Sequence, residues 1–281
     1  MFIQKFNMVI LEIIFFLNNF FIINFFKETK RTYLFNLDDK KNLILASPSK
    51  RQARAFNLIM KDKNNFFKAI NLITEKEEGN ICLDIGANLG YWSMAFNKYL
   101  RKEKVILAIE PDRRNLNYIS YNLRNEKNIS IFQVGLSSKI ESKTFGIPAF
   151  QKLRPGEQGI NTGNISLYHD NDNIFDKVRL TSVDKLIPAY TNDNDRVFLV
   201  KIDVEGHELE VIKGMKNNIT KFRPVVILEI NPNTQKLAKY DLRELFGIFN
   251  QYFMYVPKNI GFDLDDKGIP NHPINMILSS K

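Results

Sequence analysis

Past the apolar run that ends Val200-Lys201-Ile202 stand four ionisable side chains in close succession: Asp203, Glu205, His207 and Glu208. In open α/β sheets ligands bind outside the carboxyl ends of the strands, so such a cluster sits where chemistry is done. Asp203, Glu205 and His207 are candidates for a general base toward a hydroxyl, a proton transfer worth about 10²–10⁴-fold in rate. His207 in such a setting titrates near neutrality, which suits that task; its bland alternative is an exposed first-turn histidine. Asp203 has a second role open, binding an ammonium group. Glu205 and Glu208 have another as acids at a helix start. Glu229, at the end of the next strand, and Asn231 after it either orient an acceptor or serve structure. Carboxylates and imidazoles also ligate metals, but adjacent odd positions after a strand make no metal signature, and no metal site is expected.

A second constellation lies upstream, in Asp84-Ile85-Gly86-Ala87-Asn88-Leu89-Gly90. It follows an apolar strand and opens a helix. Gly86 permits a tight turn, and Gly90 lets the helix approach the sheet. Backbone N–H groups at a helix start can hold a carboxylate. Asp84, at the strand end, can accept from an ammonium or a hydroxyl. The next apolar run, Val105–Ile109, ends in Glu110-Pro111, and an acid there is placed to hold both hydroxyls of an adenosine ribose. The alternative for Glu110 is a helix N-terminal acid. The spacing from Gly86 to Glu110 fits one βαβ unit. The loop lacks G-x-G-x-x-G spacing, which disfavours a nicotinamide dinucleotide.

The elements that must carry these residues alternate. Strands are expected at 81–85, 105–109, 129–134, 197–202, 225–230, 252–256 and 274–278. Helices are expected at 91–101, 113–124, 208–215 and 234–249. Strands alternating with helices imply βαβ units and a mostly parallel sheet, hence an α/β fold. Residues 143–183 differ, with short β-like pieces (144–147, 165–168, 178–183) around a Gly/Pro/Asn-rich loop at 148–164. That loop is a candidate lid over an acceptor. Cys82 reads as a buried core thiol, and Asp184 as a helix cap. His169 and His272 read as surface residues.

The chain has 281 residues and a formal net charge of +9, with ordinary hydrophobic content. Between Lys27 and Lys63, ten Lys and Arg stand against four Asp and Glu, so the excess lies N-terminal to the site residues. A basic surface attracts anionic lipid or nucleic acid, or is simply a solvated face. Residues 1–30 form an apolar segment. Gln4, Lys5, Asn7, Glu12, Asn18 and Asn19 fall on one side of it at helical spacing, so it suits an interfacial or packed helix better than a lone membrane span. Two readings stand: association with a membrane, or packing on the domain or a partner. No small-residue cleavage site follows it. If it inserts, the basic flank holds the rest on the cytoplasmic side; otherwise the chain is expected to be cytoplasmic. Residues 31–79 read as a basic helical extension, and residues 80–281 as the catalytic domain.

At Cys82–Tyr91 (C-L-D-I-G-A-N-L-G-Y), 108–111 (A-I-E-P), 134–138 (V-G-L-S-S), 181–186 (T-S-V-D-K-L) and above all 200–208 (V-K-I-D-V-E-G-H-E), the chain resembles the FkbM family of class I methyltransferases. The resemblance spans about residues 80–280. It implies a Rossmann-like seven-stranded sheet with helices on both faces and an antiparallel last strand. It implies S-adenosylmethionine as methyl donor and a hydroxyl acceptor on a glycan or another small molecule. Asp84, Gly86, Ala87, Asn88 and Gly90 then form the donor loop, and Glu110 with Pro111 takes the ribose. Gly135, Leu136 and Ser137 meet the adenine edge, and Asp203 lies beside the methyl group. Two other readings compete, a nucleic-acid methyltransferase and a non-catalytic membrane-associated module retaining the fold. No N-P-P-Y-type stretch follows the fourth strand, which opposes the first. The intact Asp84, Gly86, Glu110 and Asp203 oppose the second.

Overall fold

The computed structural model describes residues 32–36, 42–48, 52–53, 56, 63–75, 77–101, 103–146, 166–169, 174–255 and 274–280. The apolar segment 1–30, the loop 148–164 and His272 lie outside the described residues. Among those described, no helix is long and apolar enough to cross a membrane.

The extension departs from the sequence reading. It begins with an antiparallel hairpin, β1 (Thr32–Asn36) and β2 (Asn42–Ala46), and only later becomes helical, at Gln52, Ala53 and Phe56 and in α1 (Lys63–Thr74). The Thr, Tyr and Phe of β1 and the Leu-Ile-Leu run of β2 favour a pleated surface over a helix. Basic residues dominate the counts around them and obscured that preference.

The core alternates as expected: β3 (Ile81–Ile85), α2 (Tyr91–Tyr99), β4 (Val105–Ile109), α3 (Arg113–Asn122) and β5 (Ile129–Phe132). A smaller group follows, with β6 (Gly135–Leu136), β7 (Glu141–Gly146) and β8 (Ile174–Thr181) forming a separate sheet in the order β6-β8-β7. Of the piece expected at 165–168, the described residues show a bridge from Ser166 to Gly146. Then come α4 (Val183–Tyr190), β9 (Val197–Ile202), α5 (Glu208–Lys213), α6 (Lys216–Phe222) and β10 (Val225–Ile230). The chain continues through α7 (Pro232–Ala238), α8 (Leu242–Ile248), β11 (Phe253–Tyr255) and β12 (Ile274–Ser279).

The main sheet runs β11-β12-β10-β9-β3-β4-β5. Its strands share one direction except β12, which pairs antiparallel with both neighbours. Successive side chains of a strand point to opposite faces, and both faces here are buried. Leu83, Leu107 and Val200 face one core with Val183, Val211 and Leu245 from α4, α5 and α8. Cys82, Ile106 and Leu199 face the other with Phe67 and Ile70 of α1 and Phe96 of α2. Cys82 is wholly buried, as read.

The single helix expected at 234–249 is two. Lys239 adopts φ 57, and the Asp241 carboxylate then accepts from Arg243 N at 2.8 Å to start α8. Asp184 caps, but not its own helix: it accepts from the Asn217 and Asn218 amides at 2.9 and 3.0 Å, at the start of α6.

Candidate active site

A cleft of about 300 Å³ opens at the carboxyl ends of β3, β4, β9 and β10. It is lined by the loop after β3, by Glu110 and Pro111, by Gly135 and Leu136, and by the β9 turn with Asp203, Glu205 and His207. Gly86 and Glu110 therefore share one cavity, near the lower size of small-molecule sites.

The loop is tight because two glycines take backbone angles that L residues avoid. Gly86 has φ 79, and a Cβ there would lie 1.8 Å from the Asp203 carbonyl oxygen. The donor loop and the β9 turn thus touch backbone to backbone. Gly90 does not line the cleft. A Cβ on it would meet Ile119 at 2.8 Å, so it serves the approach of α3 rather than of the sheet. The loop amides are largely committed: Gly86 N and Ala87 N both donate to Ile109 O at 3.0 Å, and Gly90 N to Ala87 O at 2.8 Å.

Asn88 N donates to Glu110 Oε2 at 2.7 Å. Glu110 Oε1 accepts from Asp112 N at 2.9 Å and Asn115 Nδ2 at 3.2 Å. Three of the roughly four acceptor positions of a carboxylate are thereby filled, leaving one toward the cavity. Burial pushes Glu110 up to about 7, against the pull of those donors.

Asp84 is displaced from its expected role. It is fully buried and does not line the cleft. Its parity on β3 is that of Cys82 and turns it toward α2, where Oδ2 accepts from Ser93 Oγ at 2.6 Å. Lys201 Nζ lies 3.8 Å from Asp84 Oδ1 and 3.0 Å from Asp203 Oδ2. Burial raises Asp84, while Lys201 and Ser93 oppose it. For Lys201 burial pulls down, but Asp203 and Asp84 prevail and hold it above its ordinary value. This buried ammonium, 5.7 Å over the Trp92 ring, escaped the sequence reading. The available signal was a lysine inside an apolar strand, which demands carboxylate partners.

Asp203, Glu205 and Glu229 come together, with ligand-type oxygens all within 4.8 Å of one another. That spacing could hold a metal ion, a grouping the sequence reading missed because Glu229 arrives from β10. Burial, the Asp203 charge and a hydrogen bond shared with Asp203 push Glu229 well above the usual carboxylate range. Burial raises Asp203, but Lys201 and the Glu229 hydrogen bond outweigh it and hold Asp203 low. Glu205 enters from a left-handed backbone, φ 52.

His207 lies beside this cluster but is engaged elsewhere. Its ring is buried, with Nε2 3.0 Å from Ser137 Oγ and Nδ1 3.2 Å from the Tyr168 hydroxyl. Burial, then Lys143, lowers it to about 4, so it is neutral at neutral pH. Ser166 Oγ donates to Glu205 O at 2.6 Å, a second tie between segment 166–169 and the β9 turn. Glu208 caps that turn, accepting from Gly206 N at 3.0 Å. His169 is half-buried, its Nε2 3.3 Å from Thr144 Oγ1.

Comparison with known proteins places these residues in context. The family model described as Methyltransferase FkbM domain matches residues 84–264. Hexuronic acid methyltransferase AglP of Haloferax volcanii is 26% identical over 160 residues, covering 56% of this chain and 58% of that protein. Among solved structures, methyltransferase FkbM from Methylobacillus flagellatus aligns with TM-score 0.44 at 18% identity, over 72% of this chain and 43% of that one. Aeropyrum pernix fibrillarin, solved with natively bound S-adenosyl-L-methionine, aligns with TM-score 0.43 at 12% identity, over 89% and 94%.

Proposed function

The chain belongs to the FkbM family of S-adenosylmethionine-dependent methyltransferases, and we propose that it methylates a hydroxyl of a sugar or a similar polyol. One observation carries the reading: Glu110 and the Gly86 loop line the same cleft as Asp203, Glu205 and Glu229, whose carboxyl groups gather beside the loop. S-adenosylmethionine supplies a methyl group on a sulfonium, already activated for displacement.

The protein's share is position and proton removal. Glu110 fixes the loop through Asn88 N and keeps an acceptor position for a ribose hydroxyl. Carboxylates accept from neighbouring hydroxyls, so the acid cluster suits a polyol. Asp203, held low by Lys201, stays ionised and orients the hydroxyl. Glu229, raised by burial, keeps its proton and donates. Glu205, which lines the cleft beside them, is placed to take the proton of the acceptor hydroxyl, toward which a bound donor would supply the methyl group. His207, neutral and held by Ser137 and Tyr168, positions the turn rather than taking the proton. A sugar acceptor is supported by the name of the Haloferax relative, a hexuronic acid methyltransferase that aligns over 58% of its own length.

The test is turnover of labelled donor against neutral oligosaccharides, hexuronates, lipid and RNA. Labelled methyl released from product by mild base, as from an ester, or found on a nucleobase, would overturn the hydroxyl reading.

A further inference from the structure

The donor loop has an outer side as well as the side it turns to the cleft. Gly86, Asn88 and Gly90 take left-handed φ of 79, 51 and 79. A loop of this kind keeps one shape only where its surroundings over-determine it. On the inner side, Gly86 N and Ala87 N donate to Ile109 O, and Asn88 N donates to Glu110. The outer side is met by residues that precede the segment matched by the family model.

Asn122, the last residue of α3, is the clasp between them. It accepts from Ala46 N at 2.7 Å and donates through Nδ2 to Ala46 O at 3.1 Å and to Leu89 O at 2.7 Å. The Ala46 N–H demands the amide oxygen and the two carbonyls demand the nitrogen, so all three bonds fix one orientation of the side chain. Ala46 and Asn122 are buried, so each bond is stronger than a solvated one, and losing it leaves a buried polar group unpaired. One side chain thus ties the end of β2 to the loop, one residue past the Asn88 amide that Glu110 holds.

Packing follows the same line. Leu45, Ala53 and Phe56 share a buried cluster with Ala87, Leu89 and Tyr91, the apolar residues of the loop and of the helix start after it. The Phe56 ring meets that of Tyr91 edge to face, centroids 5.6 Å apart. Gln52, six residues past the hairpin, lines the cleft itself along with Gly86, Asn88 and Glu110.

We infer that Asn122 is a positioning residue of the donor site: it docks the N-terminal hairpin on the outer side of the loop and so sets the shape in which the loop holds the methyl donor. Glu110 grips the loop from within and Asn122 from without. This rests on the donor reading above. It assigns a function to a region in which only basic charge stood out.

The experiment measures S-adenosylhomocysteine binding to the full chain by calorimetry, well below each variant's melting temperature. There the folded fraction is near one, so lost stability by itself leaves affinity unchanged. Asn122→Asp keeps the size and the acceptor for Ala46 N but sets carboxylate oxygens against the Leu89 and Ala46 carbonyls. It should weaken binding about tenfold or more. Leu45→Ala and Leu245→Ala make the same cut in two wholly buried leucines, neither of which lines the cleft. Both should lower the melting temperature. Leu45 packs in the cluster that holds the loop, and Leu245 in the core on α8. Leu45→Ala should therefore weaken binding about fivefold or more, and Leu245→Ala should stay within about twofold of wild type. Equal weakening by the two leucine variants, or by neither, overturns the inference, as does an Asn122→Asp chain that binds like wild type. Should Asn122→Asp fail to fold, the leucine pair decides. A wild-type chain that binds no S-adenosylhomocysteine instead removes the donor reading.

Discussion

At the donor end of the cleft, Glu110 commits its carboxylate to Asn88 N, Asp112 N and Asn115 Nδ2, and the loop amides close on Ile109 O and Ala87 O. At the other, Asp203, Glu205 and Glu229 bring three carboxyl groups within 4.8 Å, with the Lys201 ammonium buried against Asp203. The first arrangement satisfies its own polar groups and stands preformed. The second crowds three carboxyl groups around one shared hydrogen bond and one ammonium. A preformed donor site costs little reorganisation on binding, whereas crowded carboxylates keep basicity where a proton must be removed.

The largest expected effect falls on the seam between the two ends. Gly86→Ala would put a methyl 1.8 Å from Asp203 O at φ 79, so the loop or the β9 turn must move. We expect a loss of more than about 4 kcal/mol of stability or failure to fold, read by thermal unfolding. An unshifted melt with intact donor binding would break the claim that the ends are rigidly joined.

Next comes the acceptor end alone. Glu205→Gln should lower kcat by about 10²–10⁴-fold with S-adenosylhomocysteine affinity unchanged. A parallel loss of donor binding would show that the two ends are not separable in function.

The donor end responds more gently and depends on pH. Glu110→Gln should weaken donor binding about tenfold to a hundredfold at pH 8, measured by calorimetry. In the wild type, affinity should decline as pH falls through about 7, where Glu110 takes up a proton, and the Gln variant should be flat. Stability moves the other way. The folded value is above the unfolded 4.5, so the folded state binds the extra proton between about 4.5 and 7, and stability falls as pH rises through that window. Glu110→Gln should therefore gain stability over wild type at pH 8 relative to pH 5, by up to about 3 kcal/mol.

The smallest effect separates positioning from proton transfer. His207→Gln should change kcat about severalfold and leave the pH–rate profile between 6 and 8 unaltered, because His207 titrates near 4. Loss of a pH limb near neutrality in that variant would restore histidine as the base.

Much of the frame is legible in the chain. Apolar runs of five or six residues give β3, β4, β9 and β10 at their observed bounds, since a strand buried on both faces must be apolar throughout. Gly86 and Glu110 were readable because a left-handed turn and a strand-end acid are local demands. The hairpin β1–β2 was not, although its strands are as long as β3 and β4, since basic residues surround them and mask the apolar run. The break at Lys239 was not either, because a single left-handed lysine has no compositional mark.

The order of residues alone fixed the alternation of strands and helices, the place of the turn at Gly86 and the acid at the tip of β4. These follow from backbone sterics and burial within a few residues. Tertiary packing alone turned Asp84 away from the cleft and Lys201 onto it, brought Glu229 to Asp203, engaged both nitrogens of His207 and carried Gln52 to the donor loop. Those outcomes depend on strand parity and on contacts between residues tens to well over a hundred positions apart, and no local pattern encodes either.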